Sequence, residues 1–278
     1  MKKTMRAVVV MGVMLVALPA AAAIEYEFFQ KSTSDADNIP PSDLTARVTI
    51  DGSRTRVDVV GGNVYPPGTY IVSVDNSRTL RFVDPINKSY TEFNTASAAS
   101  AIGAGNIKIE NIKSEVTKLA DRPMVAGQPT DHYRLVMSYD ITVSFGKMPL
   151  TQSVRTVIDR WTTVAFGDIG TSTNSAAFQT GNVEADQIIG LETTKITGFP
   201  LREVVSITTT SLKQKTAGSS TLKMSPTRSR TREMVVTKIH EARADAMAFV
   251  IPAAYRKTDV QEDAKPQIHT LTLEPTSK

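Results

Sequence analysis

Arg228, Arg230 and Arg232 occupy alternate positions with Lys223 nearby, a spacing that on a strand sets the three guanidiniums in one basic stripe. Such a stripe can hold phosphate, and outside the cytoplasm the corresponding partner is an anionic lipid headgroup. The plain alternative is a solvated hairpin tip, since isolated exposed charges contribute little. No aromatic stacking partners interleave with the stripe, which argues against nucleic acid. The three histidines, His132, His240 and His269, are isolated from one another in sequence. Structural or surface roles suit them better than catalysis. Asp51, Asp58, Asp75 and Asp84 each fall at or near a turn signal, where an aspartate caps backbone donors, and they lack the spacing of a calcium loop. There is no Gly-x-Ser-x-Gly elbow, His-Glu-x-x-His helix, phosphate-binding glycine loop or cysteine pair. The sequence implies no catalytic residue, metal site or cofactor.

The more informative chemistry is apolar, and it depends on strands. Tyr70, Val72 and Val74 alternate, a turn follows at Asp75-Asn76-Ser77, and Leu80 and Phe82 resume the alternation. Val57 and Val59 oppose Arg54, Arg56 and Asp58 after the Asp51-Gly52 hairpin signal. From Tyr133 through Leu135, Met137, Tyr139, Ile141 and Val143 to Phe145, every second residue is apolar. Thirteen residues at about 3.3 Å each span roughly 43 Å, so this strand must curve or bend. Further strands are expected at Val154 to Val164, Leu201 to Thr210 and Glu233 to His240, and a bulged strand is favoured over a helix for 107–119. A short helix is expected between Asn94 and Gly105, and loops at Gly167 to Gln187 and Gln214 to Thr231. If a curved sheet turns these faces inward, Tyr70, Val72, Leu80, Phe82, Tyr139 and the lone Trp161 become the candidate ligand-binding residues. Apolar alternation reports burial without saying what covers it, so the same residues also fit an ordinary core.

The N-terminus reads as a secretory signal. Lys2, Lys3 and Arg6 precede an apolar run from Ala7 to Leu18, and Ala21-Ala22-Ala23 offers the small side chains of a cleavage site before Ile24. The run is too short to span a bilayer. Removing residues 1–23 takes three of the 32 basic residues and lowers the formal net charge from +4 to +1, so most of the basic excess belongs to targeting. The chain has no cysteine. It therefore has neither a disulfide nor a lipid-accepting thiol, and its stability must come from burial. The remainder divides into one domain over 24–256 and a polar tail over 257–278.

Several ordered segments then resemble a known family: Tyr70-Ile71-Val72, Leu80-Arg81-Phe82-Val83-Asp84-Pro85, Lys88-Ser89-Tyr90, and Gly127-Gln128-Pro129-Thr130-Asp131-His132-Tyr133-Arg134-Leu135. Trp161-Thr162-Thr163, Gly198-Phe199-Pro200-Leu201 and Phe249-Val250-Ile251-Pro252-Ala253-Ala254-Tyr255 follow. Together they resemble the LolA-like half-barrel superfamily, in particular its periplasmic branches related to the lipoprotein carriers. The resemblance implies a mainly β fold, a curved antiparallel sheet forming an incomplete barrel, with a few short helices and loops covering the concave face. It also implies a concave apolar surface that accepts acyl chains. The resulting expectation is a periplasmic, non-enzymatic binding or carrier protein for a lipid or acylated partner. The alternative is an envelope scaffold or sensing module with an internally filled core, acting through protein contacts.

Overall fold

The computed structural model describes residues 23–36, 39–95, 107–145, 148–166, 183–211 and 227–258. The strands are β1 (Ala23–Ser34), β2 (Ser42–Asp51), β3 (Arg54–Gly62), β4 (Tyr70–Ser73), β5 (Thr79–Asp84), β6 (Ser89–Asn94) and β7 (Ile107–Leu119). They are followed by β8 (Met124–Val125), β9 (Gln128–Pro129), β10 (Asp131–Phe145), β11 (Met148–Thr163), β12 (Phe199–Ser211), β13 (Arg228–Ala242) and β14 (Arg256–Thr258). One helix, α1 (Val183–Thr193), lies between β11 and β12. Twelve strands form a single sheet in the order β14-β6-β5-β4-β3-β2-β1-β13-β12-β11-β10-β7, while β8 and β9 form a separate hairpin. All neighbours in the large sheet are antiparallel except β14, which lies parallel to β6. The sheet is curved and does not close into a barrel.

The sequence order of this sheet follows from local signals. Strands β1 to β6 stand next to one another in chain order, as do β10 to β13, so within these runs each strand pairs with its chain neighbour. Gly52 takes φ +59 in the β2–β3 hairpin, a conformation glycine adopts without penalty. Asp75 accepts from the Thr79 backbone amide and the Ser73 hydroxyl, and Asp84 accepts from the amides of Ile86 and Asn87. These are the capping roles expected of turn aspartates. Asp58 departs from that expectation. It lies within β3, where it receives the Arg56 guanidinium at 2.9 Å. The long strand β10 and the strand at 107–119 form as expected. The latter carries its bulge opposite Tyr139, where Asn111 takes φ +55.

Other expectations need correction. Val74 lies beyond the end of β4 and is 42% exposed, so it does not extend the Tyr70–Val72 face. Within the expected loop 167–187, α1 begins at Val183; within the expected loop 214–231, β13 begins at Arg228. The polar tail expected from Lys257 starts inside β14, where the Thr258 hydroxyl meets that of Thr91 at 3.1 Å. Of the signal expected over 1–23, Ala23 begins β1 and residues 1–22 lie outside the described residues; of the short helix expected between Asn94 and Gly105, Asn94 ends β6 and 96–105 lie outside them, as do the remaining portions of both loops and His269.

Pairing register assigns every strand residue to a face, because directly opposed residues project to the same side. The side we call inner carries Ile24, Tyr26 and Phe28 of β1, with Leu44, Ala46, Val48 and Ile50 of β2 opposite. On β12 and β13 the inner side carries Phe199, Leu201 and Val236, which join the first group in one buried cluster. A second inner cluster gathers Tyr133, Leu135, Met137, Ile158 and Val205 beneath Ile196. Gly198 makes the turn between Ile196 and β12 at φ +91, and a Cβ there would stand 2.6 Å from the Thr163 carbonyl oxygen. Both the backbone conformation and the close approach require glycine. Gly198→Ala should therefore cost about 2 kcal/mol, read as a lower urea midpoint with an unchanged denaturation slope.

Candidate functional site

The six sequence-derived binding residues divide between the two faces. Tyr70 opposes Val83 and Val72 opposes Arg81, whereas Phe82 opposes Ile71 and Leu80 opposes Phe93. Since alternate residues change sides, Tyr70 and Val72 point away from Leu80 and Phe82. Tyr139 shares the inner face with Val154, while Trp161 pairs with His132 on the outer face. Leu80, Phe82 and Tyr139 are thus inner; Tyr70, Val72 and Trp161 are outer. The expectation of a single apolar face through Tyr70, Val72, Leu80 and Phe82 fails because the turn at residues 74–78 changes the phase of the alternation. Val83, one position beyond Phe82, is the β5 residue that joins Tyr70.

The outer residues are covered by the chain itself. Tyr70, Val72 and Val83 are buried against Phe249, with Ala248, Ile251 and Tyr255 packed around them. Phe249 closes a 3-10 turn (Ala246–Phe249) whose first turn is capped by Asp245, the carboxylate accepting from the Met247 amide at 2.9 Å. Arg56 clasps this cover. Its guanidinium lies 3.9 Å from the Tyr70 ring centre and donates to the Ala248 carbonyl at 2.7 Å. Burial works against the Arg56 charge, but the Asp58 carboxylate outweighs it and holds the guanidinium above its usual value. A shallow cleft of about 390 Å³ remains beside this cover, lined by Arg81, Tyr90, Ile251 and Tyr255 among others.

Among the described residues, the inner face is apolar along much of its width and only half-buried toward its two sides. Leu80, Phe82, Ile71 and Phe93 form a half-buried patch on β4, β5 and β6, with the Tyr65 ring 6.1 Å from that of Phe82. At the other side of the sheet lie half-buried Tyr139, Ile141 and Val143, and Ile207 at 36% exposure. Burial pushes the Tyr139 phenol above its usual value. From β5 to β10 there are eight strand-to-strand steps, about 38 Å along the sheet at the usual spacing. Phe82 and Tyr139 are therefore two separate patches.

Between the two buried clusters the inner face carries charge. Arg160 and Glu203, 5% and 8% exposed, are opposed on β11 and β12. Arg160 Nε donates to Glu203 Oε2 at 2.8 Å, and Arg232 donates to Oε1 at 2.8 Å. Arg232 is thus engaged by an acid, while Arg228 and Arg230 have no carboxylate partner among the described residues. The expected alternation of the three arginines is observed on β13, but the stripe runs along a strand in the body of the sheet and not around a free hairpin tip. Sequence inspection missed the Arg160–Glu203 pair, since the two residues are 43 positions apart.

On the outer face, His132 is buried rather than lying on a polar surface, at 5% exposure. Its ring stacks on Trp161 with centroids 4.1 Å apart, and the Arg202 guanidinium stands 4.6 Å from the Trp161 ring centre. Nδ1 lies 2.7 Å from Asp121 and Nε2 lies 3.1 Å from Asp159, which is itself bound by Arg134. His240 is exposed, 3.9 Å from Glu25. Among the described residues, no set of three His, Cys, Asp or Glu side chains is arranged to hold a metal ion. No described helix is long and apolar enough to cross a membrane.

No protein-family model and no curated protein matches the chain. Among solved structures, the chain is similar to the crystal structure of a LolA superfamily protein from Nitrosomonas europaea, at 8% identity over 84% of this chain and 91% of that one, with a TM-score of 0.30. With so loose a superposition, the class of this fold, a curved antiparallel sheet left open as a half-barrel, rests on its own strand order and register.

Proposed function

We propose that this chain is an exported, periplasmic, non-enzymatic binding or carrier protein whose ligand is an apolar or amphipathic molecule, a lipid or an acylated partner, held on the inner face of the open sheet. The observation that carries this reading is the patch of Leu80, Phe82, Ile71 and Phe93. These side chains are only half-buried, although the other side of the same strands is sealed by Phe249 and its neighbours. Each methylene of an acyl chain buried there would contribute about 0.8 kcal/mol. The signal-like N-terminus supports export, and the guanidiniums of Arg228 and Arg230 at the end of the same face suit an anionic headgroup.

Native mass spectrometry of the protein purified without detergent, followed by organic extraction, tests the reading. A stoichiometric lipid is the expected result; a clean apo mass that does not shift with added phospholipid or acyl peptide would overturn it. Placement is tested by substitution. Phe82→Asp should reduce lipid uptake at least tenfold while leaving the protein folded, because its side chain has water access. Val72→Asp should instead unfold the region around Phe249, since it puts a charge into a site 1% exposed. Uptake that survives in a folded Phe82→Asp protein would move the ligand away from this patch.

A second reading, an envelope scaffold acting through protein contacts, is favoured by the outer edge of β7. That strand ends the sheet, and among the described residues its outward backbone is engaged at Val116, whose amide donates to Glu192 of α1. An open edge can pair with a strand from another protein. Crosslinking at Lys113 that recovers one specific partner, combined with a ligand-free mass, would favour it.

A further inference from the structure

The outer cleft beside Phe249 lies between the sheet and its cover. Arg81 of β5 and Tyr90 of β6 form its floor, and Ile251, Pro252 and Tyr255 form the opposite wall. Register puts the floor on the outer side, because Arg81 opposes Val72 and Tyr90 opposes Val83. The wall is fixed at both ends. Phe249 is buried among Tyr70, Val72 and Val83. At the far end the Tyr255 amide donates to the Pro252 carbonyl at 2.9 Å, the Arg256 amide donates to the Lys88 carbonyl at 3.0 Å, and β14 then pairs with β6. A cleft of about 390 Å³ is large enough for a small molecule.

Arg81 lines this cleft with most of its hydrogen-bonding capacity unspent. Its Nε donates to Glu92 Oε2 at 3.0 Å, and neither Nη has a partner among the described residues. Arg56, Arg134 and Arg202 differ, since each meets a carboxylate through Nε and an Nη together. The Arg81 side chain is 29% exposed, so it is partly shielded and still reachable. Glu92 has nothing left to offer it: Oε1 accepts from Lys257 Nζ at 2.9 Å, and Lys257 with Arg81 holds that carboxyl below its usual range. Two cations thus share one carboxylate, and one positive charge is left over beside the cleft. The nearby guanidiniums are matched one to one, Arg54 by Asp51 and Arg56 by Asp58. A guanidinium anchored through Nε alone keeps its two Nη groups as a fork, the geometry that takes two oxygens of a carboxylate or phosphate.

We propose that the outer cleft is a separate binding site for a small organic anion, whose carboxylate or phosphate is held by Arg81 and whose apolar body lies against Tyr90, Ile251, Pro252 and Tyr255. The tyrosine rings and the proline supply rigid apolar surface at little entropic cost. The site is on the opposite side of β5 from Phe82, and it does not depend on what the inner face binds.

Titration of the full chain with benzoate and with phenyl phosphate at constant ionic strength tests the site, read from the amide shifts of 249–257 and the Arg81 Nε signal. Both anions are expected to shift these signals saturably, and their relative affinities show which oxyanion the fork prefers. Benzamide, the uncharged counterpart of benzoate, is expected to bind about tenfold more weakly or worse, the effect of losing a charge-assisted pair. Arg81→Gln, a change at a partly exposed side chain, is expected to weaken both anions by about tenfold or more in a folded protein. Arg81→Lys keeps the charge but loses the fork, and should restore only part of the affinity. Unchanged binding in a folded Arg81→Gln protein, benzamide binding as tightly as benzoate, or no shift with either anion at millimolar concentration would overturn the site. Phe82→Asp should leave these shifts as they are, so the outcome is separate from that of the lipid-binding test.

Discussion

Phe199→Ala is expected to lower the unfolding free energy by about 4 kcal/mol, the largest loss for any single side chain in the domain. Phe199 is 2% exposed and sits where β12 enters the sheet. Its ring meets Tyr26 edge-on at 5.2 Å between centroids and Phe166 at 6.1 Å. Those neighbours belong to β1 and to the segment after β11, so the ring joins these two parts of the chain within the inner cluster and its deletion removes both contacts. A sheet backbone held by hydrogen bonds on both sides cannot collapse into the space, and a cavity term adds to the lost transfer energy. Urea denaturation followed by tryptophan fluorescence should give the full loss for alanine and less than half of it for Phe199→Leu, which refills most of the volume. A loss below about 1 kcal/mol for alanine would mean that the site relaxes and that Phe199 is not the joint.

The second large effect is electrostatic. Glu203→Ala is expected to cost about 3 kcal/mol, because it leaves the Arg160 guanidinium at 5% exposure without the carboxylate that faces it across β11 and β12. Arg160→Met alone should cost less, since Glu203 keeps Arg232. The double replacement Arg160→Met with Glu203→Ala should lose less than the sum of the two single losses, with a coupling of roughly 2 kcal/mol. Additive losses would show that the pair contributes no mutual stabilisation. Lower ionic strength should change the coupling little, because a pair this buried is poorly screened by salt.

These two positions mark where sequence reading succeeds and where it stops. Gly198-Phe199-Pro200 stands at the entry to the strand expected from Leu201 to Thr210, yet nothing local predicted that Phe199 would meet Tyr26. Glu203 and Arg160 interrupt the apolar inner face, and they meet because β11 and β12 become neighbours. The candidate ligand set divides between the two faces for a related reason. Period-two alternation was correct within each strand, but the turn at Asp75-Asn76-Ser77 decides which phase of β5 faces Tyr70, and that turn selected Val83.

The sequence by itself determined most of the strands, though not β1 or β14, together with several of their turns, the alternation from Tyr133 through Val143 and the bulge in 107–119. These properties depend on residues within a few positions of one another, through side-chain alternation, turn propensity and the absence of cysteine. Tertiary structure alone decided that Tyr70 and Val72 are sealed by Phe249, that Trp161 lies on the outer face against His132, and that Asp121 meets His132 there. Each of these depends on which distant strand becomes a neighbour. That choice is made by the burial and hydrogen bonding of the whole sheet, and no window of the chain contains it.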